Sequence, residues 1–127
     1  MSAMQPHAAA NVAENTVLTK ATLRAADLLD ITARMLAAVI GVSEATVSRM
    51  RRQEFLLERG TKPFELAVLF VRLFRSLDAI VGGDETVARA WLKNTNTALD
   101  GVPLEKIQTI TGLVDVIAYL DSRRALV

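Results

Sequence analysis

The chain has no cysteine and a single histidine among its 127 residues. Without cysteine there is no disulfide, no thiolate nucleophile and no thiolate metal site. The histidine, His7, has no catalytic or ligating partner near it in sequence, so neither role is expected of it. Charge of one sign is also scarce: 15 basic residues against 14 acidic ones leave a net charge of +1. The whole protein is not a polycation, and any nucleic-acid contact must come from a local patch. Long uncharged apolar runs are missing as well. The most apolar stretch, Phe64 to Val81, contains Glu65, Arg72, Arg75 and Asp78, which argues against a membrane span. No basic-then-apolar leader opens the chain, so a cytoplasmic protein is expected. There is no glycine-rich phosphate loop and no carboxylate cluster beside a base, so no enzyme and no cofactor is expected. No alternating strand pattern of useful length occurs, which predicts an all-α fold.

What is present begins with residues 33–52, ARMLAAVIGVSEATVSRMRR. Leu36, Ala37 and Ile40 share one helical face. Gly41 can take the left-handed conformation that turns a chain. Ser43 can cap a second helix, in which Val47 and Met50 face one side. Two short helices joined by a glycine, with small Ala37 at their approach, predict a helix-turn-helix. The outward side of the second helix carries Ser43, Glu44, Ala45, Ser48, Arg49 and Arg52. Together with Thr46 and Arg51, these polar residues (Ala45 aside) are the candidate DNA-binding set, able to reach base edges and phosphates in a major groove. From Arg34 to Lys62 six basic residues oppose three acidic ones, a local +3, whereas Asp84 to Val127 has five against six. The positive bias sits where the helix-turn-helix sits. It is modest, so a monomer should bind DNA weakly and a homodimer better.

The rest of the chain frames this motif. Residues 1–15 are small, polar and aperiodic and are expected to form a disordered or loosely docked tail. Thr16 to Leu29 is helical in pattern, with Val17, Leu18, Leu23 and Ala26 lining one side and Lys20, Arg24 and Asp27 the other. It completes a DNA-binding unit over residues 16–62, with Asp30 or Thr32 capping the next helix. Gln53 to Gly60 is a connector whose Phe55, Leu56 and Leu57 are expected to tuck under the core. Thr61 caps and Pro63 starts a central helix, the connecting element of residues 63–83. Glu65, Arg72 and Ser76 form its narrow polar strip, and some of its surface is available to a homodimer. Gly82-Gly83 stops it. Asp84 caps a helix with Val87, Ala88, Trp91 and Leu92 as its apolar stripe. Asp100-Gly101 makes a turn and Pro103 opens a short helix. Thr109 or Thr111 caps the last helix, with Leu113, Val114, Ile117 and Leu120 as its core face. The architecture expected is a helix-turn-helix packed through a long apolar central helix onto a small C-terminal helical domain, residues 84–127.

The order of residues in that rear half carries a resemblance. ARAWL at 88–92, Asn94-Thr95-Asn96, ALDGVPLEKI at 98–107, and then Gly112, Val116 and Leu120 resemble the toxin-binding domain of the Xre/MbcA/ParS antitoxins. That family joins an Xre-type helix-turn-helix to this domain, in the order seen here, and the likeness covers Leu23 to Leu120. Two departures lie in turns. Asn96 follows Thr95 where the family often has proline, and Asp100-Gly101 replaces a frequent Gly-Gly.

The resemblance implies an antitoxin of a type II toxin–antitoxin pair. It implies a RES-domain, NAD-consuming toxin as partner, inhibition by covering the toxin's active site, and repression of the operon through the helix-turn-helix. It puts Arg123, Arg124 and Val127 nearest the toxin, with Trp91, Asn96, Leu99 and Tyr119 as further candidate contacts. Two arginines followed by three apolar residues suit a cleft made for an anionic dinucleotide; a frayed, solvated terminus is the plain alternative. Trp91 reads as core of the C-terminal bundle or as a partner anchor. Two other functions compete. One is a stand-alone repressor whose rear half only dimerises or binds a ligand. The other is an interaction module that no longer binds DNA, which the retained Arg49, Arg51 and Arg52 argue against.

Overall fold

Local chemistry sets where the helices start. In the computed structural model, which describes residues 6–125 with side chains from Asn11 onward, five helices begin at a side chain that accepts a backbone N–H three residues on. Thr32 caps Ala33–Ile40 (α2), Ser43 caps Glu44–Arg51 (α3), and Thr61 caps Lys62–Ile80 (α4). Asp84 caps Glu85–Lys93 (α5) and Thr109 caps Ile110–Arg124 (α7). Each cap satisfies an N–H that the helix itself cannot and is worth about 1 kcal/mol. Pro103–Lys106 (α6) is a single turn opened by proline. Gly41 ends α2 at φ +73°, the left-handed turn expected of it. The described residues are all-helical, with seven helices counting Pro6–Leu28 (α1).

The first helix corrects the expected tail. It starts at Pro6, not Thr16, so residues 6–15 extend the helix instead of forming a disordered or loose segment. Its early turns are held from a distance. Arg59 donates to Asn11 Oδ1 at 3.2 Å and to Glu14 Oε2 at 3.0 Å, and its backbone N–H donates to Asn15 Oδ1 at 3.0 Å. The packing face of α1 is small: Thr19, Thr22, Ala25 and Ala26 are buried. Both threonine hydroxyls donate to the carbonyl four residues back, and Thr19 Oγ1 also accepts the buried N–H of Leu57 at 2.9 Å. Met1 to Gln5 lie outside the described residues, as does the side chain of His7.

One continuous core runs through the molecule, from Ala25 in α1 to Leu120 in α7. The central helix α4 joins its two halves, packing against α1 and α2 in front and against α5 and α7 behind. Its Phe70, Leu73 and Leu77 are fully buried, each stabilising by about 1.5–3 kcal/mol relative to exposure. Three details depart from expectation. Ser76 is not part of an exposed strip; it is 1% exposed and donates to Asp121 Oδ1 at 3.0 Å, beside the Arg72–Asp121 ion pair. Val114 lies outside the core at 48% exposure, and Val116 takes its place on the inner face of α7. In the connector only Leu57 is buried, while Phe55 and Leu56 remain exposed. The turn at Asp100 explains a departure noted above: its φ of +54° is the left-handed region that favours glycine, and aspartate is among the few other residues that tolerate it.

Candidate functional site

The front site is the outer surface of α3. Thr46, Val47 and Met50 turn inward and are buried, which fixes the roll of the helix against α2 and α1. Glu44, Ala45, Arg49 and Arg52 are thereby exposed and Ser48 is half-buried. Of the seven residues predicted to read DNA, five (Ser43, Glu44, Ser48, Arg49 and Arg52) share this accessible side. The other two are placed differently. Thr46 is 8% exposed, because it lies four residues before Met50 and so shares its core-facing side. Arg51 leans back onto α1, where its guanidinium meets Asp27 at 2.9 Å. Arg52 is held at 3.2 Å by Glu54.

The α1–α3 junction adds basic residues that sequence reasoning left aside. An open groove of about 580 Å³ is lined by Lys20, Arg24, Asp27, Met50, Arg51 and Leu56. Lys20 and Arg24 are one helical turn apart and exposed, and line the groove beside Met50 and Arg51 at the end of α3. Arg34 is exposed in the first turn of α2. The spacing of Lys20 and Arg24 was visible in the sequence; their closeness to Arg51 was not.

The rear site is built on α5, α6 and α7. Trp91 and Tyr119 stack, with ring centroids 6.2 Å apart and planes 14° from parallel, and both are half-buried. Each supports the other, so the pair is part of the wall of the bundle with one edge outward. Asn96 organises the turn: it exchanges backbone hydrogen bonds with Gly101 at 2.8 and 3.2 Å, and its Oδ1 accepts the Leu99 N–H at 3.1 Å. Leu99 is 9% exposed and belongs to the core, so it is not a contact surface. Arg123 and Arg124 are exposed in the last turn of α7, where cations are favoured by the helix dipole. Val127 lies outside the described residues. Exposed Val87, Ile110 and Val114 add apolar surface to this half.

The two sites are joined across the fold. Arg89 Nε donates to the Leu28 carbonyl at 2.8 Å, and Lys93 Nζ donates to Asp30 Oδ2 at 2.9 Å. The hydrogen bond and charge of Lys93 hold the Asp30 carboxyl below its usual range. The pair is exposed, so it serves as a weak tie between the front corner and α5.

Among the described residues no helix is long and apolar enough to cross a membrane. A capped α2–turn–α3 unit with an arginine-bearing outer side, fused through α4 to a second helical half, defines a helix-turn-helix DNA-binding protein with an added partner-facing module. Comparison with known families agrees. Residues 8–72 match the antitoxin Xre-like helix-turn-helix domain, and residues 76–125 match the antitoxin Xre/MbcA/ParS C-terminal toxin-binding domain. The first match alone spans just over half the chain, and the chain belongs to the Xre-like helix-turn-helix antitoxins. The two matches meet inside α4, so the central helix is shared by both. No curated protein matches the chain.

Proposed function

We propose that this antitoxin neutralises a RES-type, NAD-consuming toxin in the cytoplasm and, as a homodimer, represses its own operon. The observation that carries the reading is the pairing, on one chain and around one core, of the Xre-like helix-turn-helix with the Xre/MbcA/ParS toxin-binding domain. Arg123 and Arg124 end α7 exposed, a chemistry suited to entering a pocket shaped for pyrophosphate. Trp91, Tyr119 and Asn96 are the further contacts we assign to the toxin in this half. Covering the pocket requires no chemistry from the antitoxin. Co-expression with the product of the adjacent gene tests this. The full chain should relieve the growth defect and co-purify with the toxin. A chain ending at Ser122 should lose rescue yet still bind operator DNA. Full rescue by the shortened chain would remove the tail from the mechanism, and absence of any complex would remove the antitoxin–toxin pairing.

The homodimer reading draws on a groove that runs from α1 and α4 to the same end of α7, at Arg124 and Ala125. An open groove of about 970 Å³ between α1, α4 and α7 is lined by Ala13, Val17, Ala21, Val68 and Val71, with Arg75 among its polar residues. Val17 is 67% exposed although it belongs to the longest helix, and Val68 sits on the outward strip of α4. Glu14 and Arg75 give the groove both signs of charge, which is compatible with a surface that meets its own copy. A second copy seated there would double the duplex contacts of one α3. In analytical ultracentrifugation the wild-type chain should sediment as a dimer and a Val17→Glu, Val68→Glu chain as a folded monomer. A double variant that still dimerises would move the interface elsewhere.

A further inference from the structure

The start of α3 carries a short relay of side-chain hydrogen bonds. Ser43 Oγ accepts the Thr46 N–H at 3.0 Å and lies 2.9 Å from Thr46 Oγ1. Thr46 Oγ1 in turn accepts from Arg49 Nη2 at 3.0 Å. Thr46 is 8% exposed and β-branched, so its side chain is fixed by both burial and rotamer stiffness. Arg49 is exposed and forms no carboxylate ion pair among the described residues, unlike its neighbours Arg51 and Arg52. The difference matters for recognition. An arginine paired with a carboxylate is partly neutralised and must break that pair to reach DNA. An arginine tethered by a hydroxyl keeps its full charge.

A guanidinium has five donors in a planar fork, and the tether uses one of them. The remainder can still make a bidentate pair, which in the major groove fits the O6 and N7 acceptors of guanine. Free arginine loses considerable rotamer freedom when it docks; a tethered one has lost part of it already. We propose that Thr46 is a positioning residue, not a reader, and that it presets Arg49 to read a guanine in each half-site. This rests on the reading that α3 enters a major groove, and it names the base and the residue that set specificity there.

The test begins with selection of a preferred duplex from a randomised pool by the wild-type full chain. Binding is then measured to that duplex, to its single-base-pair variants and to a scrambled duplex. Thr46→Val should lose about tenfold in discrimination at one G·C pair while scrambled-duplex binding stays unchanged. Thr46→Ser, which keeps the hydroxyl, should recover most of it. Introduced beside Arg49→Ala, Thr46→Val should have no further effect, the signature of two residues acting through one contact. Arg49→Lys leaves Thr46 in place and keeps the charge without the planar fork, so it should lose the same base preference. Thr46→Val with wild-type discrimination, or an equal loss on the Arg49→Ala background, would overturn the proposal and leave α3 as the reading helix. If the pool yields no preferred sequence, the DNA reading itself fails, and the proposal with it.

Discussion

Replacing Gly112 with alanine is expected to lower the stability of the protein by about 3 kcal/mol, the upper range for forcing an extra methyl group into packed structure. A Cβ at this position would sit 1.8 Å from the Lys106 carbonyl oxygen, 2.7 Å from its carbon and 2.9 Å from Thr109 Oγ1. None of these is the free end of a flexible side chain. The first two belong to the backbone where α6 ends, and the third is the hydroxyl that caps α7 by accepting the Gly112 N–H at 3.0 Å. Relief therefore requires either α6 to move off α7 or α7 to give up its first turn. Both loosen Ile107 and Leu113, which are fully buried. A domain of this size has a total stability of roughly 5–15 kcal/mol. The loss should appear as a fall on the order of 10 °C in the helical melting curve. Thr111→Ala, one residue away and exposed, should melt like wild type. A Gly112→Ala chain with an unchanged midpoint would mean that α6 and α7 do not approach as closely as they do here.

The same junction shows what the sequence made legible. Helix starts could be read, because a cap is a contact between residues three apart: Ser43, Thr61 and Asp84 cap as expected, and Thr32 and Thr109 settle the two positions that offered a choice. The left-handed turn at Gly41 could be read for the same reason. The beginning of α1 could not. Its first turns lack periodicity and are held by Arg59, more than forty residues away. Periodicity also says which residues share a face and not which face meets the core. Val17, Val87 and Val114 each fitted an apolar stripe, and each is exposed. For the site, the arginine-rich side of α3 was legible, but the state of each arginine was not. The Arg51–Asp27 pair joins different helices, and no window along the chain contains both. Thr46 is the opposite case: its spacing from Met50 marks it as inward despite its polarity.

Those different states lead to unequal effects of the three arginines on DNA binding. Alanine at Arg49 should cost about 1–3 kcal/mol of operator affinity per half-site, on the order of tenfold to a hundredfold, and should flatten base preference. Arg52 shares its charge with Glu54 and lies at the end of α3, which suits a phosphate contact better than a base. Its alanine variant should weaken preferred and scrambled duplexes alike and reduce the salt dependence of binding by about one phosphate contact. Arg51 is already satisfied by Asp27 in a partly exposed pair, and such pairs contribute about 0.2–1 kcal/mol to stability. Arg51→Ala should therefore have the smallest effect on affinity of the three. In a dimer each substitution acts twice, so the triple variant should show no operator binding at concentrations where the wild-type chain is saturated. Titration of labelled duplex at two or more salt concentrations separates these outcomes. The order of effects follows from what each guanidinium already holds: a hydroxyl at Arg49, a neighbouring glutamate at Arg52, an aspartate of α1 at Arg51. Equal losses at all three positions would mean that charge alone drives binding, and a triple variant that still binds the operator would take α3 out of the groove.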